Sequence, residues 1–440
     1  MQKETLTETE HDSASEAEKK RIMRSAYWWY TVAGTIFALQ SVIMLMVLTR
    51  VCDVATAGVF TIAFANANLF MNLGKYGVRK FHVSDRQGEF SFQEYHRARI
   101  VTCVAMIAAS AAYIAYSAVT LNYAPDKTFV IVMMCLFKAT DAYEDLYTGA
   151  YQLEDRLDVG AKMLTWRQVF ILIVFGVFAV AFADLPIAIT ATTVLSAAFL
   201  GGQIWYVKHK YHMPTMGAAA TWNAVIKLLR ECFALFLADF LLFYIGNAPK
   251  YAIDAFMDDA TQAYYGYIAM PVFVVTLFAG FIYSPLVTTL TDQWRQGDVR
   301  GFLKRFLLIS AAIFGITVVC VFGAWLVGVP VLDLLYNAQT GPYLAELLIL
   351  VAGGGFLAVT TFITVGITII RFQKVLAPLY IALAVLAWAV SNWTVINWGI
   401  TGAAWAYFSV MAVSSVLFVA TFAIGIKRNR KLLTAEGDGE

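Results

Sequence analysis

Ten residues into an apolar run that starts near Thr128 stands Lys138, followed by Asp141, Glu144 and Asp145. Lys138, Asp141 and Asp145 are spaced i, i+3 and i+7, one stripe of a helix that Thr148 and Gln152 continue, with Glu144 off the stripe. At about 1.5 Å per residue, Lys138 is expected roughly 15 Å deep, near a bilayer midplane. Charges at such depth are costly unless paired or hydrated, so the stripe should face protein interior. Two chemistries fit it. One is a structural ion pair between Lys138 and Asp141. The other is a hydrated cavity wall where Lys138 grips an anion and Asp141, Asp145 and Glu144 exchange a proton or a cation. The stripe holds more carboxylate than one lysine neutralises, which favours the cavity.

Other polar residues interrupt apolar runs. Gln40 lies in the first run, which ends at Arg50, and Asn66, Asn68 and Asn72 lie in the second. Asn68 and Asn72 share a helical face, suited to interhelical hydrogen bonds or to a wet cavity wall. Asp239 sits near the middle of the seventh run, as an ion carrier or as a partner for a neighbouring helix. That run reaches Asn247-Ala248-Pro249-Lys250, where Pro249 is expected to end the helix and Lys250 to emerge at the outer mouth, for cargo or by snorkelling.

The elements carrying these residues must be membrane helices. The chain has 440 residues, 60% hydrophobic and 14% charged, against about a quarter charged for soluble domains. Twelve apolar runs are expected as spans, at about 26–49, 55–73, 100–121, 128–151, 165–183, 185–207, 228–246, 263–290, 302–327, 342–370, 375–393 and 400–426. The distribution of the 32 Lys and Arg supports the count. The first 25 residues and the loops 74–99, 152–168, 208–230, 291–305, 371–374 and 427–431 hold 28 of them. Only Arg50, Lys127 and Lys250 fall in the opposite loops, and only Lys138 within a span. Positive loops stay in the cytoplasm, so both termini are expected there. The expected organisation is a disordered cytoplasmic tail (1–25), an N-lobe of six helices (26–207), a linker (208–227), a C-lobe of six (228–426) and a cytoplasmic tail (427–440). Pro271 and Pro285 in the eighth span and Gly353-Gly354-Gly355 in the tenth suggest kinks or breaks.

Several chemistries are excluded. There is no Gly-x-x-x-x-Gly-Lys-[Ser/Thr] phosphate loop for ATP. The histidines His11, His82, His96, His209 and His212 all fall in expected cytoplasmic segments, and the five cysteines show no metal-ligand spacing. No metal, no cofactor and no nucleic-acid partner is expected. The outer loops, with 247–262 and 328–341 the longest, are too short for a catalytic domain, which argues against a membrane polymerase or ligase.

Three stretches carry a resemblance. Tyr76-Gly77-Val78-Arg79-Lys80-Phe81-His82-Val83-Ser84-Asp85, with Tyr95 and Arg99, is the first. The second is Asn247-Ala248-Pro249-Lys250-Tyr251-Ala252-Ile253-Asp254, with Gly266 and Tyr267. The third is Trp398-Gly399-Ile400-Thr401-Gly402-Ala403-Ala404-Trp405-Ala406-Tyr407. In this order on twelve spans, over about residues 25–430, they resemble Wzx-type polysaccharide flippases of the MOP exporter superfamily. The resemblance implies an all-α polytopic fold of two six-helix lobes around a V-shaped cavity, open to each membrane face in turn. It implies a transporter, not an enzyme, in the bacterial cytoplasmic membrane. Its cargo would be an undecaprenyl-pyrophosphate-linked oligosaccharide, moved to the outer leaflet for surface polysaccharide assembly, with a polymerase and glycosyltransferases as pathway partners. Family members often have Arg where Lys250 stands; Lys keeps the charge but loses the bidentate phosphate geometry.

On this reading Arg50, Lys138, Lys250, Asn66, Asn68, Asn72, Asn247 and Gln40 would bind the head group, among membrane lipid. Asp141, Asp145, Asp239 and Glu144 are the candidates for coupling to H+ or Na+. The alternative is a cation-coupled multidrug antiporter of the same superfamily, whose cavity should be acidic and aromatic.

Overall fold

The computed structural model describes residues 2–85, 88–211 and 220–437, which are helical with short connections and contain no strand. His212, residues 212–219 of the expected linker and the last three of the expected tail lie outside the described residues. The helices are α1 (Gln2–Val51), α2 (Val54–Lys75), α3 (Val78–Ser84), α4 (Phe92–Thr120), α5 (Pro125–Leu153), α6 (Leu157–Phe182), α7 (Leu185–Lys210), α8 (Trp222–Phe256), α9 (Asp259–Ala269), α10 (Val272–Tyr283), α11 (Val287–Arg295), α12 (Val299–Gly323), α13 (Val329–Tyr336), α14 (Leu344–Ile369) and α15 (Leu376–Gly437). Among the described residues, nine helical stretches are long and apolar enough to cross a membrane. The 29-residue α5 and 35-residue α8, which carry the expected fourth and seventh spans, are not among the nine. α15 joins the expected last two spans across Gly399, whose φ of 58° and ψ of −133° suit only glycine.

Several expectations need correction. α1 is helical from Gln2, so the segment expected as a disordered tail belongs to the first helix, with Glu18 and Arg21 an i,i+3 pair at 3.7 Å. α15 likewise continues through 427–437. Pro249 lies inside α8 and does not end it, because neighbours in a bundle can re-satisfy the backbone group a proline leaves free. The prolines of the eighth span do interrupt it, separating α9 from α10 at Pro271 and α10 from α11 through a 3-10 turn at Ser284–Leu286. The glycine triplet does not break its helix: α14 runs through it. A Cβ at Gly353 would meet the Tyr407 ring at 2.8 Å, one at Gly354 would meet Val272 at 3.0 Å, and one at Gly355 would strike Thr317. The triplet serves close packing.

The chain forms two compact units: residues 1–52 with 63–240, and residues 53–62 with 241–440. The boundaries differ from the expected lobes, because 53–62 and 222–240 each belong with the other half of the sequence. Local contacts give the reason. Tyr76 and Gly77 take left-handed φ of 51° and 67°, separating α2 from α3. Tyr76 stacks on Phe236 at 4.6 Å, and a Cβ on Gly77 would meet Leu235 at 2.7 Å, so the first half of α8 is held there. Val225, Leu228 and Cys232 share a buried core with Val78, Tyr95 and Tyr147. In the second unit a Cβ on Gly58 would strike Asp259, and one on Gly266 would meet Thr61 at 2.8 Å, fastening the start of α2 to α9.

Within the first unit α5 packs against α3, α4, α6 and α7, and α1 lies along α6. The helix that carries Lys138, Asp141, Glu144 and Asp145 is thus enclosed by four others. Within the second, α14 packs against α10, α12 and α15.

Candidate functional site

The charged stripe of α5 divides into two environments. The first is a buried network. Lys138 is 0% exposed and its Nζ donates to Asp141 Oδ2 at 2.9 Å and to Gln40 Oε1 at 2.6 Å. Gln40 Nε2 donates onward to Gln168 Oε1 at 2.9 Å, tying α1 to α6. Phe37, Phe64 and Phe137 surround the ammonium, with ring centroids 5.0, 4.7 and 5.1 Å away. Arg167 of α6, also 0% exposed, completes the network by pairing with both Asp141 and Glu144, its Nε donating to Glu144 Oε2 at 2.8 Å. It also donates to Thr140 Oγ1 and Ser196 Oγ at 3.0 Å each. Two cations meet two carboxylates, so the enclosed charge balances. Buried pairs hold together only with extensive hydrogen bonding, and here Glu144 Oε1 and Gln168 Nε2 alone of the network's named polar groups lack a partner among the described residues.

The expectation that Lys138 is alone within the spans therefore fails. Arg167 was assigned to the loop 152–168, but α6 starts at Leu157 and carries it inside. Arg99, assigned to the loop 74–99, is buried in α4 for the same reason, since α4 begins at Phe92. The excess carboxylate that favoured a cavity over an ion pair is neutralised by these two arginines. Glu144, expected to point elsewhere, joins Asp141 on Arg167.

One turn on, Asp145 lies at the second environment. Its carboxylate accepts from Arg79 at 3.3 Å and from Arg99 at 3.0 Å. Arg99 and Thr102 both donate to the Gly74 carbonyl, at 2.8 and 2.7 Å, fixing the end of α2. Arg79 also donates to Gln152 Oε1 at 2.8 Å. Asp145, Gln152 and Arg79 line a cavity of about 480 Å³ with Tyr30, Asn72, Lys75, Lys80 and Asp239. Lys80 donates to both carboxylate oxygens of Asp239, at 2.7 and 2.8 Å. Lys75 is half-buried, with its ammonium 5.3 Å from the Phe37 ring centroid; it makes no direct ion pair among the described residues, although its charge acts on Asp145.

The remaining expected residues stand apart from both groups. The Asn68 amide donates to Phe64 O at 2.8 Å within its own helix. Asn66 is fully buried with both amide atoms unpartnered among the described residues. Arg50 is exposed at the end of α1 and donates to Met46 O at 2.8 Å. Asn247 and Lys250 lie on the part of α8 that belongs to the second unit. Asn247 donates to Phe243 O at 3.0 Å, and half-buried Lys250 pairs with no described residue. Sequence reading missed Lys75, Arg79, Arg99 and Arg167 as site residues. The signal for two of them was present: Arg79 lies in the first resemblance stretch, and Arg99 was quoted with it. No group of three or more His, Cys, Asp or Glu is set to hold a metal among the described residues.

Beside the cavity, the loop between α3 and α4 is organised by Asp85. Partial burial pushes its carboxyl up, but the N–H groups of Glu89 and Phe90 and the Tyr95 hydroxyl, at 2.9, 3.1 and 2.9 Å, together hold it below the usual carboxylate value.

No family model matches the sequence, and comparison with curated proteins gives no match. Among solved structures the chain is similar to a multidrug resistance MATE family transporter of the MOP superfamily in an inward-facing conformation, at 12% identity over 91% of this chain and 95% of that one, with a TM-score of 0.66. It is also similar to a MOP superfamily transporter from Pyrococcus furiosus, described as having a binding pocket of reverse polarity that suggests a different function; identity is 11%, over 93% and 96% of the chains, with a TM-score of 0.59. The Vibrio cholerae MATE transporter VcmN, in its bent form, matches at 10% identity over 94% and 99%, with a TM-score of 0.57. These likenesses establish the fold alone, an all-helical one of the kind these MATE and MOP transporters have. With its apolar helices, the chain is a multi-pass membrane protein.

Proposed function

We propose that the chain is a transporter of the MOP type whose cargo carries an anionic head group. An undecaprenyl-pyrophosphate-linked oligosaccharide, moved from the inner to the outer leaflet of a bacterial cytoplasmic membrane, fits that description. One observation carries the reading. The lining of the first unit's cavity carries Lys75, Arg79 and Lys80 against Asp145 and Asp239, one positive charge in excess, and buried Arg99 also meets Asp145. Such a lining attracts phosphate oxygens and repels a cationic drug. Likeness of the three sequence stretches to polysaccharide flippases supports the same cargo, with a polymerase and glycosyltransferases as pathway partners. Counting α5, α8 and the two arms of α15 as crossings restores twelve spans with both termini cytoplasmic. The cavity residues Lys75 to Lys80 then lie at the cytoplasmic side, where such a cargo is made.

A second reading, a multidrug antiporter coupled to H+ or Na+, is favoured by the solved structures, two of which are MATE transporters. They support it more directly than they support a flippase. The Pyrococcus protein, described with reversed pocket polarity, supports the view that cargo charge varies on this fold. In either case Asp145 and Asp239, on the cavity, are our candidates for ion coupling; Asp141 and Glu144 are enclosed with their cations.

Proteoliposomes separate the two. The flippase reading expects translocation of a fluorescent undecaprenyl-pyrophosphate oligosaccharide that falls at least tenfold in K75Q. Gradient-driven extrusion of a cationic dye, with no lipid translocation, would replace it with the antiporter.

A further inference from the structure

The second unit holds a cavity of about 630 Å³ that neither reading above uses. It lies between α11, along its whole length, and the last turns of α14. Val287, Val365 and Ile369 give it an apolar wall; Trp294, Arg295 and Arg371 complete it. Both arginines are exposed, and neither guanidinium has a partner among the described residues. Asp298, three residues beyond Arg295, is engaged elsewhere: it accepts the Gly301 N–H at 2.9 Å and caps α12. Arg371 is held by the chain reversal that ends α14. Its φ is 55°, its N–H donates to Thr368 O at 3.0 Å, and the next N–H, of Phe372, donates to Ile367 O at 3.0 Å.

The hydroxyls of the lining are not available as donors. Thr291, Thr364 and Thr368 each donate to a carbonyl of their own helix, at 2.8, 2.9 and 2.9 Å. The donors left are the two guanidiniums and the Trp294 indole N–H, and guanidinium is the group that grips phosphate oxygens in pairs. Arg295 ends α11 and Arg371 follows α14, in the segments 291–305 and 371–374 that are rich in Lys and Arg, the cytoplasmic side by the charge rule. An apolar wall beneath two cations and an indole at that level matches a lipid, head group above and acyl chain below, better than a free anion, which has no use for the wall.

We propose that this cleft binds the phosphodiester of an anionic membrane phospholipid, held by Arg295 and Arg371 with its acyl chain against Val287, Val365 and Ile369. The site does not depend on which cargo the first unit handles.

The test uses the full chain in a nonionic detergent, titrated separately with dioleoylphosphatidylglycerol, dioleoylphosphatidylcholine and inorganic phosphate, with the unfolding temperature as readout. Saturable stabilisation by phosphatidylglycerol is expected, with little from phosphatidylcholine. The double variant R295Q/R371Q should lower the apparent affinity for phosphatidylglycerol about 25-fold, since each surface cation near anionic lipid contributes about a factor of five. R300Q, an exposed arginine outside the cleft, should behave as wild type. Equal stabilisation by the two lipids, or a double variant like wild type, overturns the proposal. So does inorganic phosphate that reproduces the whole shift, which would make the site one for a free anion.

Discussion

Asp141 and Asp145 stand four residues apart on the same helix, yet one is enclosed and the other opens on a cavity. Asp141 meets Lys138 and Arg167, both sealed from solvent. Asp145 meets Arg99 on its buried side and Arg79 on the cavity side. Depth along the helix does not separate them, since both are well inside the bundle; what differs is whether the paired cation can be reached. A closed pair contributes to stability and holds helices in register. An open pair can exchange partners with a ligand. Candidate transport residues are therefore those of the cavity, while the more deeply buried lysine holds the unit together.

That contrast can be tested by substitution, with the largest effect expected at Arg167. R167L leaves Asp141 and Glu144 with one cation between them, and removing one partner of a buried pair costs about 3–5 kcal/mol. Loss of folded protein, or a much lower unfolding temperature in detergent, is the expected result; wild-type stability would mean that water reaches the network. K138M should cost less, about 2–3 kcal/mol, because Arg167 still neutralises Asp141 and Met fills the aromatic cage around the ammonium. K75Q reverses the pattern: stability within about 0.5 kcal/mol of wild type, as for surface substitutions, with transport down at least tenfold. If K138M lost transport at full stability while K75Q lost neither, the assignment of the two environments would be inverted. D239N removes a part-exposed pair with Lys80 and should shift stability by less than about 1 kcal/mol. The smallest effect is expected at Asp85. Its folded carboxyl is held low, so its contribution is complete above the ordinary carboxylate value and is lost as the pH falls through the depressed one. D85N should lower stability modestly at neutral pH, where the carboxylate's contribution is complete, and converge on wild type in acid, flattening the acid limb.

Much of this was legible in the amino-acid order, because apolar runs and basic loops report directly on a membrane bundle. The i,i+3 spacing of Lys138 and Asp141 predicts a pair without reference to the rest of the chain. The partners of Asp145 and Glu144 are harder to see. Arg99 and Arg167 sit near the ends of apolar runs, where a span trimmed to bilayer length excludes them, although their helices extend further and enclose them. The exchanged pieces at 53–62 and 222–240 were illegible for a different reason. They depend on small residues at Gly58, Gly77 and Gly266 admitting a neighbour, and a glycine does not state which neighbour it admits. Pro249 misled because the usual rule assumes that water will take the freed carbonyl, whereas a packed helix can continue past it.

The three glycines of α14 have a mechanical meaning. Successive helical positions point about 100° apart, so Gly353, Gly354 and Gly355 face three directions and receive Tyr407 of α15, Val272 of α10 and Thr317 of α12 respectively. A shaft keyed on three sides can neither spin nor slide without dragging everything seated in it. Any movement of α14 must therefore carry those three helices with it, which leaves bending to joints such as Pro271, Ser284–Leu286 and Gly399.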